Sequence, residues 1–430
     1  MASARAIVVA AVLCVAGYAW VYGAGLAGAV IRSDGFSYYV YLPSWLLYHD
    51  TTLAEVARDC CGGVYPEDTG ILRWPGTRRW VNVHPIGVAI MQAPVFPVAH
   101  ALTRWSNLTP DGFSLYYQHG AGVAGLAWCI AGLVMLRRLL LQYFRDTVVA
   151  VTLLTILLGT NLLHYATFDV SYSHAYSFFL VAAFLYLCAR WHDAPTIRHS
   201  ALLGVTAGMI VLTRHTNVMF LLVFALYGVS SRASIRETLA RLLAQWKQVT
   251  PIAVVATLLV IPQLAIYYQA TGHAVVSSYG DQGFNWGSPR LLDVLFSTTK
   301  GLFFWSPLLL LSLAGFVRLW RSTCPARAFV VPAVVFLALH TYLIAAWWDW
   351  QLGGSYGSRG YVEALPVFAI GLAAFLDHAW TSRRGRAAAV AVVCAGVALS
   401  VFQMLQYWYG IIPFTNTTWE LYREVFLQWR

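Results

Sequence analysis

Asp34 stands where an apolar run ends, with Gly35, Phe36, Tyr38, Tyr39 and Tyr41 close behind it. A carboxylate at a lipid–water boundary can stay ionised, and amphipathic rings settle at headgroup depth. The stretch is either a helix-end charge inside an aromatic belt or a catalytic carboxylate held beside a lipid-linked substrate. Arg214, between two apolar segments, is a costly cation at membrane depth. It needs a partner, which is a protein acid or a bound anion. Arg359 lies among Gly353, Gly354, Gly357 and Gly360. Those glycines let backbone approach a ligand closely, or they form a flexible re-entrant turn. Lys300 is an interface anchor or a third cation for the same anion. Asp169 reads as a helix N-cap, and His174 as a helix-packing hydrogen bonder or a base. His84, His215, Asp281, Tyr38 and Tyr39 complete the set of candidate substrate contacts.

The elements that must position these residues are membrane helices. Of 430 residues, 59% are hydrophobic and 11% charged, against about 25% charged in a soluble domain. Segments 6–31, 147–168, 170–189, 248–280, 328–348 and 387–419 contain no Asp, Glu, Lys or Arg. Roughly 20 apolar residues cross a bilayer as a helix. The chain is therefore expected to be an all-α polytopic membrane protein forming a single transmembrane domain over 1–430. Helices are expected near 6–30, 115–136, 147–166, 171–190, 200–213, 216–230, 250–270, 302–320, 328–347, 362–380 and 387–409. The first run is too long for a signal-peptide core and reads as a retained helix. The positive charges are dispersed rather than gathered in one patch, so no nucleic-acid partner is expected.

Lys and Arg in short loops set orientation. Arg5, Arg137, Arg138, Arg145, Arg190, Arg198, Arg318, Arg321 and Arg327 share one face with the basic segments 232–247 and 383–386. That face is expected to be cytoplasmic. Asp34, the C-terminus, the long first loop (32–114) and the later loops 271–300 and 347–361 then lie outside. Segment 84–97 carries three prolines and is expected to lie as an interfacial helix on the outer surface. Asp111-Gly112-Phe113-Ser114 echoes the sequence at Asp34 as convergent helix-end chemistry. Seven cysteines show no zinc spacing. Adjacent Cys60 and Cys61 are not expected to bridge each other.

The Asp just after the first helix, the long first outer loop, Asp34-Gly35 with Tyr38-Tyr39, the proline-containing segment from His84, and Leu212-Thr213-Arg214 together resemble the GT-C superfamily of integral-membrane glycosyltransferases. The pattern is similar to the bacterial protein-O-mannosyltransferase and aminoarabinose-transferase type. That resemblance implies transfer of a sugar from a polyprenyl-phosphate donor to a glycan, lipid or protein acceptor. It also implies that Asp34 is the base and that the enzyme sits in a bacterial cytoplasmic membrane with its site facing outward. Many members carry Asp-Glu where this chain has Asp34-Gly35, which leaves the acceptor and any second acid open.

The residues suit that chemistry on their own terms. A polyprenyl phosphate leaves as a monoester with a second pKa of about 6, so it needs charge stabilisation rather than a general acid. Arg214, Arg359 and Lys300 can supply it. One carboxylate suffices to take the hydroxyl proton, giving an inverting single displacement. No cofactor is then required, although a divalent metal is compatible with the acids of the first loop. A lipid-linked polysaccharide ligase is the nearer rival. A flippase or transporter is the further one, because paired repeats and broken helices are not evident.

Overall fold

The computed structural model describes residues 1–276 and 282–429. Among them, seven helices are long and apolar enough to cross a membrane: Ala2–Gly23, Leu115–Leu140, Ser173–Asp193, Trp246–Thr271, Pro325–Ala346, Arg359–Ala379 and Arg383–Trp408. Four shorter apolar helices accompany them: Asp146–Leu158, Ile197–Thr213, His215–Leu226 and Leu309–Trp320. The helices Ser173–Asp193 and Arg359–Ala379 are largely buried at the centre. Trp246–Thr271 is just as apolar yet exposes Val254 (48%), Leu258 (59%) and Ile261 (47%). Such an aliphatic outer wall suits a bilayer as solvent. This is a membrane protein.

Small residues bring the helices together, as expected where lipid supplies no hydrophobic drive between them. A side chain at Gly315 would collide with the Gly371 carbonyl, and one at Gly371 with the Ser312 carbonyl. These contacts lock Leu309–Trp320 against the central Arg359–Ala379 helix. Gly204 and Gly208 do the same against Ile252, Val255, Ala256 and Leu259.

Polar contacts sort the two ends of the bundle. At one end Arg145 pairs with Asp377 at 2.8 Å and Arg137 Nε donates to Ser3 Oγ at 2.6 Å. At the other end Asp34 meets Arg359. The arginine-rich short loops therefore gather away from Asp34.

Several sequence expectations are corrected. The first helix stops at Gly23 rather than near residue 30, and Gly25 takes a positive φ of 67° immediately afterwards. The helix expected over 147–166 is broken into Asp146–Leu158 and Leu162–Thr167. At the break, Asn161 Nδ2 donates to the carbonyls of Tyr356 and Ser358. The chain is not purely α. Strand β1 (Ile71–Arg73) pairs antiparallel with β2 (Trp80–Asn82) in the first loop, and Arg73 lies over the Trp80 ring at 4.5 Å. Cys60 and Cys61 do form a disulfide.

Segment 84–97 does not lie flat on the surface. Helix Gly87–Gln92 is buried along its length except at Ile90, and only the following helix, Phe96–Trp105, shows a surface character, with Val98 and Trp105 exposed. Gly87 is the reason for the insertion: a β-carbon there would strike the backbone of Leu212 and Thr213. The absence of a side chain brings the His84 segment against the end of the Ile197–Thr213 helix, beside Arg214. Backbone cannot step aside as a flexible side chain can. Gly87→Ala should therefore destabilise the fold by about 1–3 kcal/mol, the usual range for overpacking. Thermal unfolding in detergent checks this, and an unchanged midpoint would contradict the tight contact.

Candidate active site

Asp34 is the first residue of the short helix Asp34–Tyr39, after Ser33 turns the chain with a φ of 48°. Gly35 fits against Ser171 where no side chain would. This settles why glycine follows the acid here: the position faces a packed wall, not the cavity. Asp34 Oδ2 accepts from Arg359 Nη1 at 2.7 Å, and the two side chains are 24% and 15% exposed. Burial would raise the Asp34 pKa. The guanidinium of Arg359, with Arg214 as a lesser cation, overrides burial and holds the carboxyl below its usual range.

Arg359 is presented by the glycine-rich turn, where Gly353 and Gly357 take positive φ values of 69° and 59°. Asn161 grips the carbonyls of Tyr356 and Ser358 just before it. One turn later comes Glu363, 1% exposed, which is not among the candidates drawn from the sequence. Its Oε1 lies 3.0 Å from Arg214 Nη1 and its Oε2 lies 3.1 Å from His174 Nδ1. An acid inside an otherwise uncharged helical stretch, 360–376, is itself a signal, because a buried carboxylate at membrane depth requires a named partner. The segment 359–364 thus carries one member of each of two ion pairs. Arg359 faces Asp34, and Glu363 faces Arg214.

A cavity of about 410 Å³ opens over this arrangement, lined by Asp34, Tyr38, His84, His174, Arg214, His215 and Arg359, with Glu67, Asp68 and Asp349 also on its wall. A second cavity of about 400 Å³ adjoins it. The two share Arg214, His215, Thr216, Gln282, Trp347 and Leu352, and the second continues along Val276, Phe284, Leu343 and Ile344, with His340 and Glu363 also on its wall. A polar chamber therefore meets a mostly apolar one at an arginine. A larger groove of about 880 Å³, along Val317, Val331 and Val334, is aliphatic and lies apart from these groups.

Among the residues singled out from sequence, Asp34, Tyr38, His84, His174, Arg214, His215 and Arg359 come together here. Others lie elsewhere. Tyr39 is buried and donates to the Gly112 carbonyl at 2.7 Å. Asp169 is not an N-cap: it pairs with Arg32 at 2.7 Å and with His164 at 2.9 Å. Although burial works against ionisation, His164 and Arg32 hold its carboxyl below the usual range. Asp281 lies outside the described residues. Among the described residues, no three His, Cys, Asp or Glu side chains gather as a metal-binding group.

Lys300 is 3% exposed and donates its ammonium to the carbonyls of Ser355 and Phe414. Burial, helped by Arg359, pushes its pKa down to about 7. It is absent from the walls of both cavities. Its evident work is to tie the glycine-rich turn to the segment after the last long helix. Lys300→Ala would leave the two carbonyls short of a donor, at a cost of about 1–3 kcal/mol. We expect a lower unfolding temperature with lipid-phosphate affinity retained. A selective loss of that affinity would instead restore the lysine to the anion site.

Comparison with solved structures identifies the fold. The chain is similar to the oligosaccharyltransferase AglB from the archaeon Archaeoglobus fulgidus, solved in complex with an inhibitory peptide and a dolichol-phosphate. The TM-score is 0.51 at 11% identity, over 94% of this chain and 55% of that one. It is also similar to the Archaeoglobus fulgidus oligosaccharyltransferase in its apo form, with a TM-score of 0.52 at 12% identity, over 99% of this chain and 54% of that one. The chain thus spans about half the length of these structures, and what it shares with them is the fold. No protein-family model matches the sequence. No curated protein matches it either.

Proposed function

We propose that this protein transfers a sugar from a polyprenyl-phosphate donor to an acceptor hydroxyl by inverting single displacement. The observation that carries the proposal is the Asp34–Arg359 pair at 2.7 Å, on the wall of a polar cavity that adjoins an apolar one at Arg214. The similar archaeal enzyme was captured with a dolichol-phosphate and a peptide, which supports a lipid phosphate as the donor class and admits a protein acceptor. In this scheme the apolar cavity takes the first part of the lipid, and Arg214 and Arg359 take the phosphate. The acceptor oxygen forms its bond to the anomeric carbon as the carbon–oxygen bond to phosphate breaks. The electron pair stays on the phosphate oxygen, and the hydroxyl proton passes to Asp34. The arginines supply the charge stabilisation, so turnover should continue in the presence of EDTA.

Eleven crossings in a bacterial cytoplasmic membrane, with the cavity facing outward, complete the proposal. The separation of the arginine-rich loops from Asp34 supports it. Incubation of purified protein with a panel of polyprenyl-phosphate sugars, followed by detection of released polyprenyl phosphate, tests the reaction. A flippase would move the lipid and leave the sugar attached. For the orientation, single cysteines near Arg78 and Gln428 in a cysteine-free background should react with an impermeant label from outside. Labelling only after permeabilisation would invert the topology.

A further inference from the structure

His84 is held in place by its own loop. Its backbone N–H donates to Asn82 Oδ1 at 3.0 Å, and its carbonyl accepts from the Tyr41 hydroxyl at 2.9 Å. Asn82 in turn donates to the Ser37 carbonyl at 2.7 Å. The ring packs on Tyr38 with centroids 4.4 Å apart, in space left by Gly70, whose added β-carbon would come within 3.3 Å of it.

The ring's tautomer follows from one hydroxyl. Ser37 Oγ lies 2.8 Å from the Asp34 carbonyl and 2.7 Å from His84 Nδ1. A carbonyl only accepts, and the Ser37 hydroxyl donates to Asp34 O. With that proton so placed, His84 donates from Nδ1–H into Ser37 Oγ. In a neutral imidazole the other nitrogen, Nε2, carries a lone pair and no proton. Burial keeps the ring neutral, pushing its pKa down to about 4. No hydrogen bond reaches Nε2 from the described residues, and His84, 9% exposed, is one of the residues that line the cavity. A nitrogen that can only accept is thus left over on a residue of the chamber wall.

An acceptor nitrogen repels phosphate and carboxylate and suits O–H. The arginines by themselves favour the product, because the bare lipid is a phosphate monoester that carries more negative charge than the sugar-bearing diester. We propose that His84 Nε2 accepts a hydrogen bond from a hydroxyl of the sugar on the lipid donor, so that the cavity distinguishes sugar-bearing lipid from bare polyprenyl phosphate. This rests on the glycosyl-transfer proposal above. A site built to bond a hydroxyl discriminates against a ligand that lacks one, because its own polar group is then left unpaired.

Two variants separate this role from a structural one. In His84→Asn the amide can replace Nδ1–H toward Ser37 but leaves nothing at Nε2. In His84→Gln the amide reaches the Nε2 position. Binding of undecaprenyl-phosphate glucose, undecaprenyl-phosphate mannose and bare undecaprenyl phosphate would be measured for protein in nanodiscs. We expect His84→Asn to cut the preference for sugar-bearing lipid by about tenfold, with bare-lipid affinity kept. His84→Gln should recover part of that preference. An unchanged preference, or an equal loss for sugar-bearing and bare lipid, would overturn the proposal. The second measurement is the ¹⁵N spectrum of histidine-labelled protein, where His84 should show a protonated Nδ1 and an unprotonated Nε2. A protonated Nε2 overturns the proposal whatever the lipid data show. Wild-type protein that binds none of the lipids defeats the glycosyl-transfer proposal, and this one with it, even if the tautomer is as derived.

Discussion

Asp34→Asn should abolish measurable transfer, with turnover falling about 10²–10⁴-fold, the usual contribution of a general base. The substitution is nearly isosteric, so the short helix Asp34–Tyr39 and its packing against Ser171 should survive. Donor affinity should be kept or should rise. Arg359 loses its carboxylate partner in this variant, and its guanidinium is then available to phosphate alone. That combination of lost rate and retained binding is not what a helix-end belt charge would produce. Such a residue would shift stability slightly and activity hardly at all.

The other acids provide the controls. Asp111 sits in similar local sequence, but its Oδ1 accepts from the backbone amides of Phe113 and Ser114, at the start of the Leu115–Leu140 helix. Asp111→Asn should retain most activity. Asp169→Asn breaks the contacts with Arg32 and His164, so it should lower stability more than turnover. Asp281 and Asp50 belong in the same assay. Near-normal turnover in well-folded Asp34→Asn would sink the mechanism and direct attention to those acids.

How much of this was legible beforehand depends on which physical signal each feature leaves in one dimension. Uncharged runs mark helices because a bilayer demands length, and each expected segment does contain helix. Breaks are harder to see. The interruption at Gly159–Asn161 exists because Asn161 reaches the turn near Arg359, and no local pattern announces a partner almost 200 residues away. The ends of the runs were readable for the same reason as the runs themselves. Charge, glycine and histidine collect where helices leave lipid, which brought Asp34, His84, Arg214 and Arg359 into view. What each one touches was not readable. Asp34 and Arg359 are separated by 325 positions, and only tertiary packing joins them. The buried helix at Gly87–Gln92 was misplaced because prolines and moderate apolarity describe a surface helix equally well. The deciding fact is a backbone contact through Gly87. Glu363 was legible. A lone acid in an uncharged helix needs a cation, and Arg214 needed an anion. Pairing those two requirements would have connected them without a structure.

The two arginines should differ in a way that their shared positive charge conceals. Either Arg→Ala change should weaken binding of a polyprenyl phosphate by about 10–100-fold, the value of a hydrogen bond to a charged group. Either Arg→Lys change should lose less, because charge remains while the planar fork is gone. Arg359 alone also sets the base. Burial drives the Asp34 carboxyl upward, and the Arg359 guanidinium is the largest influence pulling it down. In wild-type protein the carboxylate is therefore ionised from below the ordinary aspartate pKa of about 3.9, and the acid limb of the pH–rate profile should lie below that value. Removing Arg359 lets burial prevail, so the limb should move to higher pH in Arg359→Ala and the remaining rate should recover as pH rises. Arg214 contacts Glu363 rather than Asp34, and it lowers the Asp34 pKa less than Arg359 does. Its removal should leave the limb nearly in place. It should instead strand Glu363 as a buried carboxylate with His174 and His340 near it but no arginine, an arrangement that costs about 3–5 kcal/mol when one partner of a buried pair is deleted. Arg214→Ala should accordingly show the lower unfolding temperature, and Glu363→Gln in that background should restore part of it. Unchanged donor affinity in both Ala variants would reduce these arginines to structural anchors. Equal acid-limb shifts in both would show that Arg359 has no special hold on Asp34.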